Sequence, residues 1–170
     1  LGYYSGSTGT ATVTGAGSTW TNSSDLHVGY YGSGTLNIKA GGQVSNTNGI
    51  IGDYSGSTGV GTVSGAGSTW TNSNWLCVGN SGGGTLNIEA GGHVSNNYSH
   101  LGYYSGSTGT ATVTGAGSKW TNSSNLEVGY YGSGTLNIKA GGQVSNTNGI
   151  IGDYSGSTGT ATVTGAGSTW

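Results

Sequence analysis

Polar and apolar residues alternate in short bursts along this chain. In "GTLNIKAGGQVSN" (Gly34–Asn46), Leu36 and Ile38 are separated by Asn37 and flanked by Thr35 and Lys39. In a strand, that alternation sends Leu36 and Ile38 to one face and Thr35, Asn37 and Lys39 to the other. "TATVT" (Thr10–Thr14) repeats the pattern with Ala11 and Val13. Two shorter bursts accompany each long one: Leu26–Val28, and Gln43–Ser45 matched by Thr19–Thr21. No stretch carries the 3.6-residue apolar period or the Ala, Leu, Glu and Lys content of a helix. The pattern predicts three short strands per unit, with glycine corners between them.

The bursts recur at two nested periods. Fifty-residue units open near Leu1, Ile51, Leu101 and Ile151, and the first and third differ only at Thr19/Lys119, Asp25/Asn125 and His27/Glu127. Each unit splits into similar halves of 27 and 23 residues, measured from Gly2 to Gly29 to Gly52. A repeat of this length, built from three short strands, predicts one coil of a parallel β-helix, and about seven coils over residues 1–170. The chain reads as a single solenoid segment, a piece of a longer array.

Stacking the halves in register predicts ladders. One interior ladder runs Val13, Ile38, Val63, Ile88, Val113, Ile138, Val163, and a second Ala11, Leu36, Gly61, Leu86, Ala111, Leu136, Ala161. A third runs Trp20, Val44, Trp70, Val94, Trp120, Val144, Trp170. Coils with Trp carry Ala or Gly in the second ladder and coils with Val carry Leu there, as dense packing requires. Trp is therefore expected as a core or corner filler, and its small partners argue against an exposed carbohydrate-stacking platform. Asn22, Asn46, Asn72, Asn96, Asn122 and Asn146 form a turn ladder, expected to use the αL tolerance of Asn and to hydrogen-bond along the stack. Glycine series beginning Gly2, Gly9/Gly34 and Gly17/Gly42 mark corners needing positive φ or too tight for a Cβ.

Composition adjusts this picture. The chain has 39 Gly and no Pro, Met or Phe, and only 5% of it is charged, a make-up that alone suggests a flexible linker. The fixed places of the β-branched and aromatic residues argue against that, as does a net charge of only −2. Three Lys/Arg make no basic patch, so nucleic acid is not an expected partner. The apolar runs are too short to cross a bilayer. One Cys allows no intramolecular disulfide.

"GTLNIKAGGQVSN", "GSTGTATVTGAGSTWTNS" and "LHVGYYGSGTLNI" resemble the repeats of bacterial autotransporter passenger regions and related giant surface proteins. The resemblance covers the whole chain. It implies a right-handed parallel β-helix, secreted and displayed on a bacterial surface as an adhesin, spacer or matrix component.

Four constellations invite a chemical reading. Cys77, His100 and Glu127 fall at one position of successive coils, like a nucleophile, base and orienter. The column continues as His27, Ile50 and Ile150, so the expectation is a variable, outward-facing surface position. Asp53 and Asp153 stand singly where Tyr3 and Tyr103 occur in other units, too few carboxylates for calcium. Thr10, Thr12 and Thr14 begin outward Thr columns of the kind that bind ice, but Asn37, Asn87 and Asn137 interrupt one column, and Lys39, Glu89 and Lys139 another. The last constellation is aromatic. Tyr4, Tyr31, Tyr54, Tyr104, Tyr131 and Tyr154 form a column broken by Ser81, and Tyr3, Tyr30, Tyr103 and Tyr130 a partial second one. Stacked Tyr stiffens a solenoid, and exposed rows of Tyr bind sugars and proteins.

The reading is a structural or adhesive extracellular segment of a bacterial surface fibre, with no catalytic, metal or cofactor site. Its expected partners are further copies of the repeat, by continuation or by end-to-end or lateral association. The alternative is a non-catalytic module that binds surface glycans or proteins through the Tyr columns. An enzyme acting on polysaccharide needs clustered acids in a groove, which five dispersed Asp/Glu do not supply.

Overall fold

In the computed structural model, which describes residues 1–170, the chain is a parallel β-solenoid without helices. The first sheet stacks seven long strands, Thr8–Thr14, Ser33–Lys39, Thr58–Ser64, Gly83–Glu89, Thr108–Thr114, Ser133–Lys139 and Thr158–Thr164. The second sheet holds six strands around the Trp/Val ladder, from Thr19–Thr21 to Gln143–Ser145. The third holds six, from Leu26–Val28 to Asn148–Ile151. The chain visits the third, first and second sheets in turn and makes about six complete turns, close to the seven coils expected.

The predicted register holds strand by strand. Ala11 faces Leu36 and Val13 faces Ile38, and the two ladders continue to Ala161 and Val163. Trp20, Val44, Trp70, Val94, Trp120 and Val144 align, and the bridge from Gln143 to Thr169 brings Trp170 into the same column. Burial follows the number of neighbouring coils. Ile38, Val63, Trp70, Ile88, Val113, Trp120 and Ile138 are buried, whereas Val13 and Trp20 in the first coil are half-buried and Val163 and Trp170 in the last are exposed. The inward ladder becomes a core only where a coil lies on both sides.

The exchange of volume between Trp and its coil is visible atom by atom. A Cβ on Gly61 would come within 3.1 Å of both Trp70 Cζ3 and Ile51 Cδ1. The indole also crosses the interior to the third sheet, where a Cβ on Gly49 would lie 3.0 Å from Trp70 Cζ2. Each internal Trp therefore needs two small partners: Gly61 and Gly49 for Trp70, Ala111 and Ser99 at the matching positions for Trp120. The first of each pair was expected from the sequence and the second was not.

Two corner expectations are corrected. No Asn of the Asn ladder has a positive φ. Asn46, Asn72, Asn96 and Asn122 instead end strands with their side chains turned into the interior and buried. Their amides serve the indoles. Trp70 Nε1 donates to Asn46 Oδ1 at 2.7 Å while Asn46 Nδ2 donates to Asn72 Oδ1 at 2.6 Å. Trp120, Asn96 and Asn122 repeat the triad at 2.9 and 2.7 Å, with Ser99 Oγ also donating to Asn122 Oδ1. Trp170 Nε1 donates to Asn146 in the last coil. The ladder thus runs in pairs from each Val coil to the next Trp coil, because a buried indole N–H must find an acceptor. The second correction is Ala40, Ala90 and Ala140, which hold φ of 50–51° where the Trp coils use Gly15, Gly65 and Gly115. The left-handed turn is kept in the Val coils without a glycine. Gly29 and its equivalents behave as expected: φ is positive, and a Cβ would strike the Thr58 carbonyl of the next coil.

Candidate functional site

The third sheet and the corners beside it carry all the tyrosines, Trp75, Cys77, His27, His100 and every Asp, whereas the lysines, Glu89 and His93 lie on the other two sheets. Backbone pairing at this corner is in register: Tyr54 N–H donates to the Tyr30 carbonyl and Tyr154 N–H to that of Tyr130, which sets Tyr54 over Tyr31 and Tyr154 over Tyr131. The Tyr columns are exposed or half-exposed, as expected, with Tyr4 at 73% and Tyr104 at 52%.

Tyr3 and Tyr30 stack with centroids 5.0 Å apart, as do Tyr103 and Tyr130. Tyr31 and Tyr54 stack more closely at 4.2 Å, and Tyr131 and Tyr154 at 4.1 Å. Edge-to-face contacts join the columns, Tyr30 to Tyr31 at 4.8 Å and Tyr130 to Tyr131 at 4.8 Å. Such arrangements are favoured by the ring quadrupole. Asn80 and Ser81, which stand where the Tyr pair would be, separate the two clusters.

Beneath the rings lies the Cys77–His100–Glu127 column, and here the expectation of an exposed variable surface fails. Ile50, Cys77, His100 and Glu127 are all buried. They point away from the core but are roofed. Around His100 stand Tyr103 at 4.8 Å, Tyr130 at 5.0 Å, Tyr98 at 5.6 Å and Trp75 at 6.1 Å between centroids. In a strand of only three or four residues the outward position is overhung from both corners. The aromatic residues at the two ends of these strands (Trp75 and Tyr98 opening them, Tyr103 and Tyr130 following them) were the signal in the sequence.

The roof sets the electrostatics. His100 Nδ1 lies 2.7 Å from Glu127 Oε2, although the two are poorly aligned for a hydrogen bond and neither atom has another partner. Burial lowers the His100 pKa to about 4 and pushes the Glu127 carboxyl up, against a weaker lowering by the Asn125 amide. Burial also holds the Cys77 thiol well above its usual range, with Asp53 adding to the effect. A protonated, covered thiol is a poor nucleophile. His27 Nδ1 pairs with Asp53 Oδ2 at 2.7 Å, and Asn80 Nδ2 donates to Asp53 Oδ1 at 2.7 Å, so both oxygens of that carboxylate are engaged within the protein. No three His, Cys, Asp or Glu side chains converge as metal ligands. The surface depressions lie around the two ends of the stack, against Leu1 and Trp20 and against Val144 and Trp170, and no groove runs along the side.

No family model matches this chain, and no curated protein or solved structure matches it either.

Proposed function

We propose that the chain is a structural or adhesive segment of a bacterial extracellular fibre, stalk or filament. The observation that carries this reading is the unbroken parallel register of the first sheet, in which two kinds of coil alternate and every coil bonds in register to the next. Such a stack extends by adding units, each stabilising only its neighbours. The resemblance to surface-protein repeats supports the same reading. Immuno-electron microscopy of the source cells tests it. Label along thin surface fibres is expected; label confined to the cell interior would refute the proposal.

A second reading, a glycan- or protein-binding module, is favoured by the exposure of Tyr4 and Tyr104 beside the stacked rings. Exposed Tyr supplies contact area at low entropic cost. A glycan array probed with the native chain and with Tyr4→Ala/Tyr104→Ala decides it. Binding that the double variant loses supports a module. A native chain that binds no glycan, and no protein in a parallel surface-extract screen, is a passive spacer.

A further inference from the structure

Two tyrosine pairs stand apart from the rest. Tyr31/Tyr54 and Tyr131/Tyr154 each join adjacent coils across the 23-residue step, with centroids 4.2 and 4.1 Å apart and ring planes within 28° and 22° of parallel. All four rings are 40–43% exposed. Tyr104 and Tyr131 also stand in backbone register across the 27-residue step, yet their rings do not stack; Tyr104 instead meets Tyr103 edge-on. The Tyr3/Tyr30 and Tyr103/Tyr130 pairs are nearer parallel, at 2° and 10°, but their centroids stand 5.0 Å apart.

We infer that Tyr31–Tyr54 and Tyr131–Tyr154 are sites of oxidative cross-linking, where a one-electron oxidant joins neighbouring coils through dityrosine. Two phenoxyl radicals couple face to face, because the half-filled π orbitals overlap only when the rings lie over one another. Backbone register sets Tyr54 directly over Tyr31 and Tyr154 over Tyr131. Each phenol gives up one electron and its hydroxyl proton. The two carbons ortho to the oxygens then bond, and each ortho hydrogen moves to its own ring's oxygen to restore the phenol. The pair loses two hydrogens in all, and one hydrogen peroxide, activated by a haem peroxidase, is reduced to two waters. Holding both partners in place replaces a bimolecular encounter with an intramolecular one. The link would staple successive coils of a chain that has one cysteine and so cannot form an internal disulfide. The inference rests on ring geometry and stands whether or not the proposed surface role holds.

The test is to treat the dilute folded protein with a haem peroxidase and hydrogen peroxide, then map linked peptides by mass spectrometry. The expected product is a monomer with dityrosine fluorescence and two linked peptide pairs, 31 with 54 and 131 with 154, each lighter by two hydrogens. Tyr54→Phe/Tyr154→Phe should lose at least nine-tenths of that product, while Tyr4→Phe/Tyr104→Phe retains it. Both variants keep their rings, and an unchanged circular dichroism spectrum confirms the fold. In denaturant the links should scatter. Links mainly at Tyr4 and Tyr104, links mainly between molecules, the same two links in denaturant, or oxidised phenols without any link would each overturn the inference.

Discussion

At the scale of single residues, the chain uses Trp, Asn and Ala in ways that alternation alone does not reveal. Trp120 fills the interior and donates its indole N–H to Asn96 Oδ1. Trp120→Phe should therefore cost about 3 kcal/mol, the sum of lost packing and a stranded amide oxygen. Denaturant melts of Trp120→Phe, Asn96→Ala and the double variant check it, and the double should cost less than the two singles added. Ala90 tests the opposite sign. Its φ of 51° is uncommon for a residue with a Cβ, and its methyl is exposed, so no packing is lost on removing it. Ala90→Gly should stabilise by about 0.5–1 kcal/mol, because relief of the left-handed turn exceeds the added freedom of the unfolded chain. A lower denaturation midpoint would show that the turn carries no strain.

At the scale of the strand and the coil, two kinds of unit alternate, and each is consistent only as a whole. Gly61→Leu should cost about 2 kcal/mol by overpacking against Trp70 and Ile51. Trp70→Val should cost about 3 kcal/mol by leaving a cavity. Together the substitutions convert a Trp coil toward a Val coil, and the pair should recover about 1–3 kcal/mol of the summed cost. Strict additivity would mean that the two positions do not share volume. The third-sheet column makes a further prediction. The unfolded chain protonates His100 near its ordinary 6.5, whereas the roofed side chain does so only near about 4. The unfolded state binds more protons in that window, so stability is complete above about pH 6.5 and falls toward pH 4. The bound on this loss is ~3 kcal/mol. Glu127 opposes it: its raised carboxyl adds stability below its ordinary 4.5 and loses that contribution as pH rises through the raised value. His100→Gln should flatten the dependence in urea melts at pH 7 and pH 4, and an unchanged slope would show that His100 is not its source.

At the scale of the molecule, the solenoid is a line of neighbours. The last-coil Val163 and Trp170 are exposed although they occupy the same ladders as the buried Val63 and Trp70. Amide exchange should accordingly be slowest in the central long strands, Thr58–Ser64 and Gly83–Glu89, and fastest in Thr8–Thr14 and Thr158–Thr164. Uniform protection would point to one cooperative block. The strand positions, the register and the alternation of coil types were legible in the sequence, because side chains alternate with period two and a fixed repeat stacks like upon like. The first ladder from Val13 to Val163 needed no more than that. What only the tertiary structure decided lies where residues distant along the chain meet across the interior or at a corner. Gly49 is small because Asn72, Leu76 and the Trp70 indole crowd it from other strands, and the Asn side chains turn inward because those indoles need an acceptor. His100 is covered because Tyr103 and, from the next coil, Tyr130 fold over it. Alternation states which side of a strand a residue faces. Whether that side meets water depends on what other coils and corners place above it, and that is a property of three dimensions.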